Sequence, residues 1–516
     1  MRGIQERLKA LSAARLQGMG RGVEKESLRV TQDGKLAHTP HPATLGAALT
    51  HPHITTDFSE AQLELITGVH RSAELAENEL TQVHQAVYRA LGDEMMWVGS
   101  MPCTLPPDDE IPLGQYGTSN VGQSKTVYRM GLGHRYGRRM QTISGIHYNW
   151  SLPEVTTAEY FSLIRNFRRH SFLLLYLFGA SPAVPRGFAE NAKDLVPLGE
   201  DTMHMPHATS LRMGRLGYQS DAQNSLSVSY NSLDSYAASL SDALVRPYPA
   251  YEALGIRAAD GTYKQLNDSL LQIENEFYST IRPKRVIFPG ERPLHALRER
   301  GVEYIEVRCM DLDPFVPAGI APSTMRMIDI FLLHCLLDDS PLDSPNEIAE
   351  LGRNQQRVAA RGREPGLKLE RGGVEVLMTD WLREILTECG PIAGWLDAQE
   401  GTDAHAQALA AARAAVLAPD TLPSARVLAE MIEKHGGSHD AFVRARSLQT
   451  RAHMLELDLP ANVAAHMAEL ASESLAAQKR IEASDSMPFE IYRQQYLAPE
   501  RLRLPRGAPV PASAGR

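Results

Sequence analysis

Strict alternation in two short segments is what most constrains this chain. In Gly145-Ile146-His147-Tyr148-Asn149-Trp150-Ser151, an extended strand puts His147 and Asn149 on one face and Ile146, Tyr148 and Trp150 on the other. Tyr304-Ile305-Glu306-Val307-Arg308 repeats the pattern, with Glu306 and Arg308 opposed to Ile305 and Val307. A polar sheet face of this kind either meets water or lines a cleft, and the apolar face needs a core behind it. Two acidic segments, Glu24-Lys25-Glu26 and Asp57-Phe58-Ser59-Glu60-Ala61-Gln62-Leu63-Glu64, favour the cleft. Together these segments suggest a metal and nucleotide site built on a sheet.

The chain has 516 residues, enough for a large core and roughly two to four domains. Its composition, 43% hydrophobic and 22% charged with net charge -9, argues against nucleic acid as a partner, because phosphate backbones are met by clustered Lys and Arg. Two small basic groups, Arg135 with Arg138 and Arg139, and Arg282 with Lys284 and Arg285, suit a small anionic ligand better than a duplex. No apolar run approaches the ~20 residues that cross a bilayer, and the N-terminus lacks the apolar core of a signal peptide. A cytoplasmic protein without a membrane partner is therefore expected. Cys103, Cys309, Cys335 and Cys389 form no Cys-x-x-Cys pair and no zinc-ligand spacing, which predicts four free thiols without a catalytic role.

The first ~15 residues read as a helix that Gly18, Gly20 and Gly22 close before a strand from Val23 to Val30. Asp33-Gly34 signals a hairpin, and strands and loops are expected to dominate through about Met310. Within that stretch, Phe161 to Phe178 has the spacing of a core helix, as does Met325 to Leu337 beyond it. After about Asp338 the composition turns to Ala, Leu, Glu and Arg at helical periods, for example Asp403 to Leu417 and Val463 to Ala483. The expected division is a catalytic α+β region over 1–340, an all-helical region over 341–500 and a disordered Pro/Ala-rich tail over 501–516.

Taken one at a time, the polar residues are weak signals. Glu24 and Glu26 share a strand face, and such a pair is ordinarily a solvated edge. Asp57, Glu60 and Glu64 have helix-face spacing, but Leu63, Leu65 and Thr67 equally permit a strand. Carboxylates gathered around one imidazole would suit Mg²⁺ or Mn²⁺, not zinc. The chain carries no Gly-x-x-x-x-Gly-Lys-Ser/Thr loop, so phosphates would be held by metal ions and by arginines such as Arg308, whose ordinary alternative is an ion pair with Glu306 or Glu303. It also has no Gly-x-Ser-x-Gly elbow, leaving covalent nucleophilic catalysis unsupported.

Five segments in order carry a more specific signal: Arg21-Gly22-Val23-Glu24-Lys25-Glu26, Ile54-Thr55-Thr56-Asp57-Phe58, Gln115-Tyr116-Gly117-Thr118-Ser119-Asn120, Met140 through Asn149, and Glu303 through Arg308. With them the chain closely resembles the proteobacterial glutamate–cysteine ligases from about Arg21 to Pro317, and more weakly to about Glu490. The resemblance implies an antiparallel sheet rolled into a funnel, related to the catalytic fold of glutamine synthetase, with helices around it. It implies ATP-dependent joining of L-glutamate, through its γ-carboxylate, to L-cysteine, the first step of glutathione synthesis, with Mg²⁺ or Mn²⁺ as cofactor. By the same resemblance Glu24, Glu26, Asp57, Glu64, His147 and Glu306 would ligate metal, and Arg308 would act with Glu306 on the transferred phosphate. Phe58, Tyr128, Gln141, Ile146, His147, Arg212 and Tyr218 would form the cysteine pocket. Asn149, Tyr278 and Arg282 would lie at the nucleotide. A monomer open to feedback inhibition by glutathione is implied as well.

Overall fold

The computed structural model describes residues 2–189, 192–217, 222–223, 226–288 and 290–502. Its centre is an antiparallel sheet of seven strands: β1 (Gly20–Val30), β2 (Ile54–Thr56), β3 (Gln62–Ile66), β4 (Met95–Met96), β5 (Ile146–Ser151), β6 (Ile281–Lys284) and β7 (Tyr304–Met310). In space the order is β2-β3-β1-β5-β7-β6, with β4 paired to the far end of β1. The α+β class with an antiparallel sheet, expected from the sequence, is the architecture found.

Register decides which residues meet. Lys25 lies opposite both Leu65 and Ile146, Tyr148 opposite Val23 and Val307, and Trp150 opposite Arg21 and Ile305. These residues share one face, and it is buried: Leu65, Ile146, Tyr148, Trp150, Ile305 and Val307 are all 0% exposed. Each large apolar side chain so enclosed contributes roughly 1.5–3 kcal/mol relative to exposure. Alternation sends two charged residues into this core as well. Arg21 donates to Asp329 (Nε to Oδ2, 2.6 Å) on the helix Pro322–Leu337, and Tyr148 donates to the other oxygen of the same carboxylate at 2.9 Å. The Lys25 amine, held down to about 7 by burial, bonds His84 Nε2 at 2.6 Å.

The N-terminal helix is broken into Arg2–Ala10 and Ala13–Gln17, and β1 begins at Gly20. The expected core helix is two, Thr157–His170 and Phe172–Phe178, and the apolar helix runs Pro322–Leu337. The Asp33-Gly34 turn is present, with Gly34 at φ 87° and a short antiparallel bridge from Val30 to Leu36.

Strands and loops make up most of the chain before Met310, but long helices that were not expected span Ala73–Ala90, Asn120–Tyr136 and Leu233–Val245. One expectation needs correction: the later region is not wholly helical, since Lys368–Arg371 and Val374–Leu377 pair as a hairpin turned by Gly372 and Gly373, both at positive φ. Of the helix and the strand left open for Asp57, Glu60 and Glu64, the strand is found: Glu64 is on β3, Asp57 precedes it in a turn, and Glu60 accepts the backbone N–H groups of His41 and Gln115. The tail from residue 503 lies outside the described residues.

Candidate active site

The opposite face of the sheet collects the polar residues. Glu26 lies directly across from Glu64, Glu24 from His147, Asn149 from Glu306, and Glu306 from Arg282. Four strands thus place their alternate residues in one row, with β6 adding Arg282 and Lys284. The side chains converge: Glu24 Oε2 is 3.2 Å from His147 Nδ1, Glu26 Oε1 is 3.5 Å from His147 Nε2, and Glu306 Oε1 is 3.9 Å from His147 Nδ1. Asn149 Nδ2 donates to Glu24 Oε1 at 2.8 Å. At the other end, Arg308 pairs with Glu306 Oε2 at 3.2 Å and Lys284 Nζ donates to Glu306 Oε1 at 3.1 Å.

So many carboxylates in a buried row repel one another. Glu26 is pushed up to about 8, by burial first and then by the Asp57 charge, against the pull of Arg212, Arg308 and the Gly145 N–H. Burial and the charges of Glu24, Asp57 and Glu26 raise Glu64 well above its ordinary value. Burial works against ionisation of Glu306 too, but Lys284 and Arg308 outweigh it and hold the carboxylate well below the usual range. Glu24 is lowered despite burial, mainly through its bond with His147, while burial and Arg308 lower His147 and keep the imidazole neutral.

These residues suit a hard divalent cation. Glu24, His147 and Glu306 each offer a ligand atom within 4.8 Å of the others. Buried His147 Nε2 and Asn149 Oδ1 have no hydrogen-bond partner, and the crowded carboxylates supply the oxygen donors that Mg²⁺ or Mn²⁺ prefers. The helix Asn120–Tyr136 closes one side of the row. Ser119 caps it by accepting from Gly122 N, and from it Arg129 reaches the backbone carbonyl of Asp57. Tyr128 is half-buried on the same helix, and a Cβ added at Gly133 would come 3.6 Å from the buried Phe58 ring.

The remaining expected residues divide. Gln141 donates to the Tyr278 hydroxyl at 2.8 Å, which ties a residue expected at the cysteine to one expected at the nucleotide. Arg212 is fully buried and packs its guanidinium flat against Gly145, where an added Cβ would sit 2.0 Å from Nη2; that nitrogen donates to the Arg308 carbonyl at 3.0 Å. Arg282 lies in the row but spends part of its guanidinium on the carbonyls of Asn275 and Phe277. Ile146 must be corrected as a pocket residue: alternation turns its side chain into the core with Tyr148 and Trp150, away from His147. Tyr218 lies outside the described residues. Lys284 was missed as a site residue, although its two-residue spacing from Arg282 placed both on one face. A cavity of about 900 Å³ beside this site is lined by Arg139, Leu211, Gly214 and Leu216, and by none of the row's carboxylates.

A family model for glutamate–cysteine ligase matches residues 6–156 and 154–358. This chain belongs to the glutamate–cysteine ligase family. A glutamate–cysteine ligase of Alcanivorax borkumensis is 46% identical over 523 residues, covering 96% of this chain and 99% of the relative. One from Bordetella petrii is 47% identical over 510 residues, 95% of this chain and 96% of its own. Among solved structures, a glutamate–cysteine ligase of Francisella tularensis in complex with AMP is similar with TM-score 0.89 and 36% identity, over 94% of this chain and 98% of that one. A bifunctional glutathione synthetase of Pasteurella multocida matches with TM-score 0.67 and 26% identity, over 88% of this chain and 54% of that one. No helix among the described residues is long and apolar enough to cross a membrane.

Proposed function

We propose that this row is where the chain, as an ATP-dependent glutamate–cysteine ligase, converts the γ-carboxylate of L-glutamate to an acyl phosphate and passes it to the amine of L-cysteine, forming γ-glutamylcysteine for glutathione synthesis. The observation that carries the assignment is the convergence of Glu24, Glu26, Glu64, His147 and Glu306 on one sheet face, with Arg308 and Lys284 at its end. A carboxylate is a poor electrophile, and phosphorylation supplies the leaving group that the amine displaces. Arg308 and Lys284 offer the cationic donors that phosphoryl oxygens need. Glu24, Glu26, Asp57, Glu64, His147 and Glu306 would hold Mg²⁺ or Mn²⁺, which when bound neutralises charge on the phosphates.

No enzyme nucleophile is called for. All four cysteines are buried, and burial raises every thiol, Cys309 to about 12. Glu306 anchors both cations, so the row works as one electrostatic unit. Arg212, Phe58, Tyr128 and Gln141 would shape the acceptor pocket, with Tyr278, Arg282 and Asn149 toward the nucleotide. The chemistry falls within 1–340, and 341–500 packs on it, its helix Phe489–Leu497 lying against Asn120–Tyr136. The sequence resemblance extends this reading to a cytoplasmic monomer under feedback by glutathione.

The test is phosphate release from ATP with glutamate and a panel of amines. Release should require glutamate and be fastest with cysteine, with 2-aminobutyrate as a thiol-free substitute. Arg212→Ala should raise the KM for cysteine at least tenfold while changing that for ATP less than threefold. Equal changes in both constants would remove Arg212 from the acceptor pocket, and release without glutamate would overturn the assignment.

A further inference from the structure

We propose that His170, His334 and Cys335 form a second metal site, for a soft divalent ion of the zinc type, at the seam between three helices far apart in sequence. His170 ends the helix Thr157–His170, His334 and Cys335 lie near the end of Pro322–Leu337, and Met378–Glu388 brings up Glu388 with Cys389 beside it. Each of the first three offers a ligand atom, and these atoms lie within 4.8 Å of one another. All three residues are buried, His334 and Cys335 at 0% exposure and His170 at 9%.

The hydrogen bonding points to a ligand. His334 Nε2 bonds Glu388 Oε2 at 2.9 Å, which leaves Nδ1 as the lone-pair nitrogen, and that atom is buried with no partner. A carboxylate behind an imidazole is the arrangement that orients histidines on zinc. His170 Nδ1 is also buried without a partner, and the two rings are 5.7 Å apart. If the cluster were only packing, each orphaned nitrogen would carry its desolvation cost with nothing gained. Burial, with His334, Arg371 and Arg169 nearby, keeps His170 neutral, the form that ligates. Burial and then Cys389 raise the Cys335 thiol, so binding must expel its proton and should strengthen with rising pH. Cys389 lies near enough to Cys335 for its charge to act on that thiol, beside the three-residue cluster and not within it. Thiolate and imidazole ligands select zinc over magnesium, the reverse of the preference on the sheet face. The bound ion would tie the helix Thr157–His170 to Pro322–Leu337, with Glu388 of the 341–500 region holding the His334 ring from behind.

The probe is Co²⁺ added to the untagged full-length chain after dialysis against EDTA. A near-ultraviolet sulfur-to-cobalt band should grow in and saturate at about one equivalent, vanish on adding Zn²⁺ and persist in millimolar Mg²⁺. Cys335→Ser should reduce that band by half or more, His334→Ala should weaken Co²⁺ binding by on the order of 10–100-fold, and Glu24→Ala should leave the band unchanged. Zn²⁺ should also raise the thermal midpoint of the wild-type chain. Absence of any sulfur-to-cobalt band in the folded wild type overturns the site whatever the variants do, as does a band that Cys335→Ser leaves at full strength.

Discussion

Replacing Glu306 with Ala is expected to lower kcat on the order of 10³-fold or more while the chain remains folded. Glu306 is 1% exposed, accepts from Lys284 at 3.1 Å and is ion-paired with Arg308 at 3.2 Å. Its removal takes a hard oxygen donor from beside His147 and leaves two like charges adjoining without their counterion. Both would then shift toward Glu24 and Glu26, misplacing the groups meant for the transferring phosphate. Glu306→Gln keeps the shape and loses the charge, so it should recover little. Steady-state phosphate release together with circular dichroism distinguishes the outcomes: a folded Glu306→Ala variant within tenfold of wild type would remove Glu306 from the reaction.

The second large effect is on stability. Asp329→Ala is expected to destabilise the chain by about 3–5 kcal/mol, because it leaves the Arg21 guanidinium buried and unpaired behind the sheet. Arg21 is 2% exposed, Asp329 is 0% exposed, and the bond between them is 2.6 Å. Burial alone would lower the Arg21 pKa, yet Asp329 raises it above the ordinary value, a sign that the pair depends on that carboxylate. Tyr148→Phe removes only a hydrogen bond to the same group and should cost about 1 kcal/mol. Urea midpoints for both variants give the comparison, and an Asp329→Ala loss no larger than that of Tyr148→Phe would mean the pair is dispensable.

What the sequence disclosed follows from range. Alternation in Gly145–Ser151 and Tyr304–Arg308 is a local pattern, and it placed His147, Asn149, Glu306 and Arg308 on one face, where the structure has them. It equally implied that Ile146 turns away, which the family pattern obscured. The helix Asn120–Tyr136 went unread because Gly122, Gly131 and Gly133 lower its propensity and it has no strong apolar stripe, although Ser119 was a usable cap. Ala73–Ala90 had both a cap, Ser72, and buried Ala76, Leu80, Val83 and Val87 at helical spacing, so that signal was present. Register was not legible. That Glu26 meets Glu64, or that His170 meets His334 from 164 positions away, depends on packing between distant elements, which no spacing rule records.

The most direct measurement of the central claim follows oxygen. The chain is supplied with ATP, cysteine and L-glutamate labelled with ¹⁸O in the γ-carboxylate, and the released phosphate is analysed by mass. If the row of carboxylates and cations activates that carboxylate by phosphorylation, one labelled oxygen passes from glutamate to each phosphate as γ-glutamylcysteine forms. Dipeptide formation with unlabelled phosphate would contradict the acyl-phosphate route.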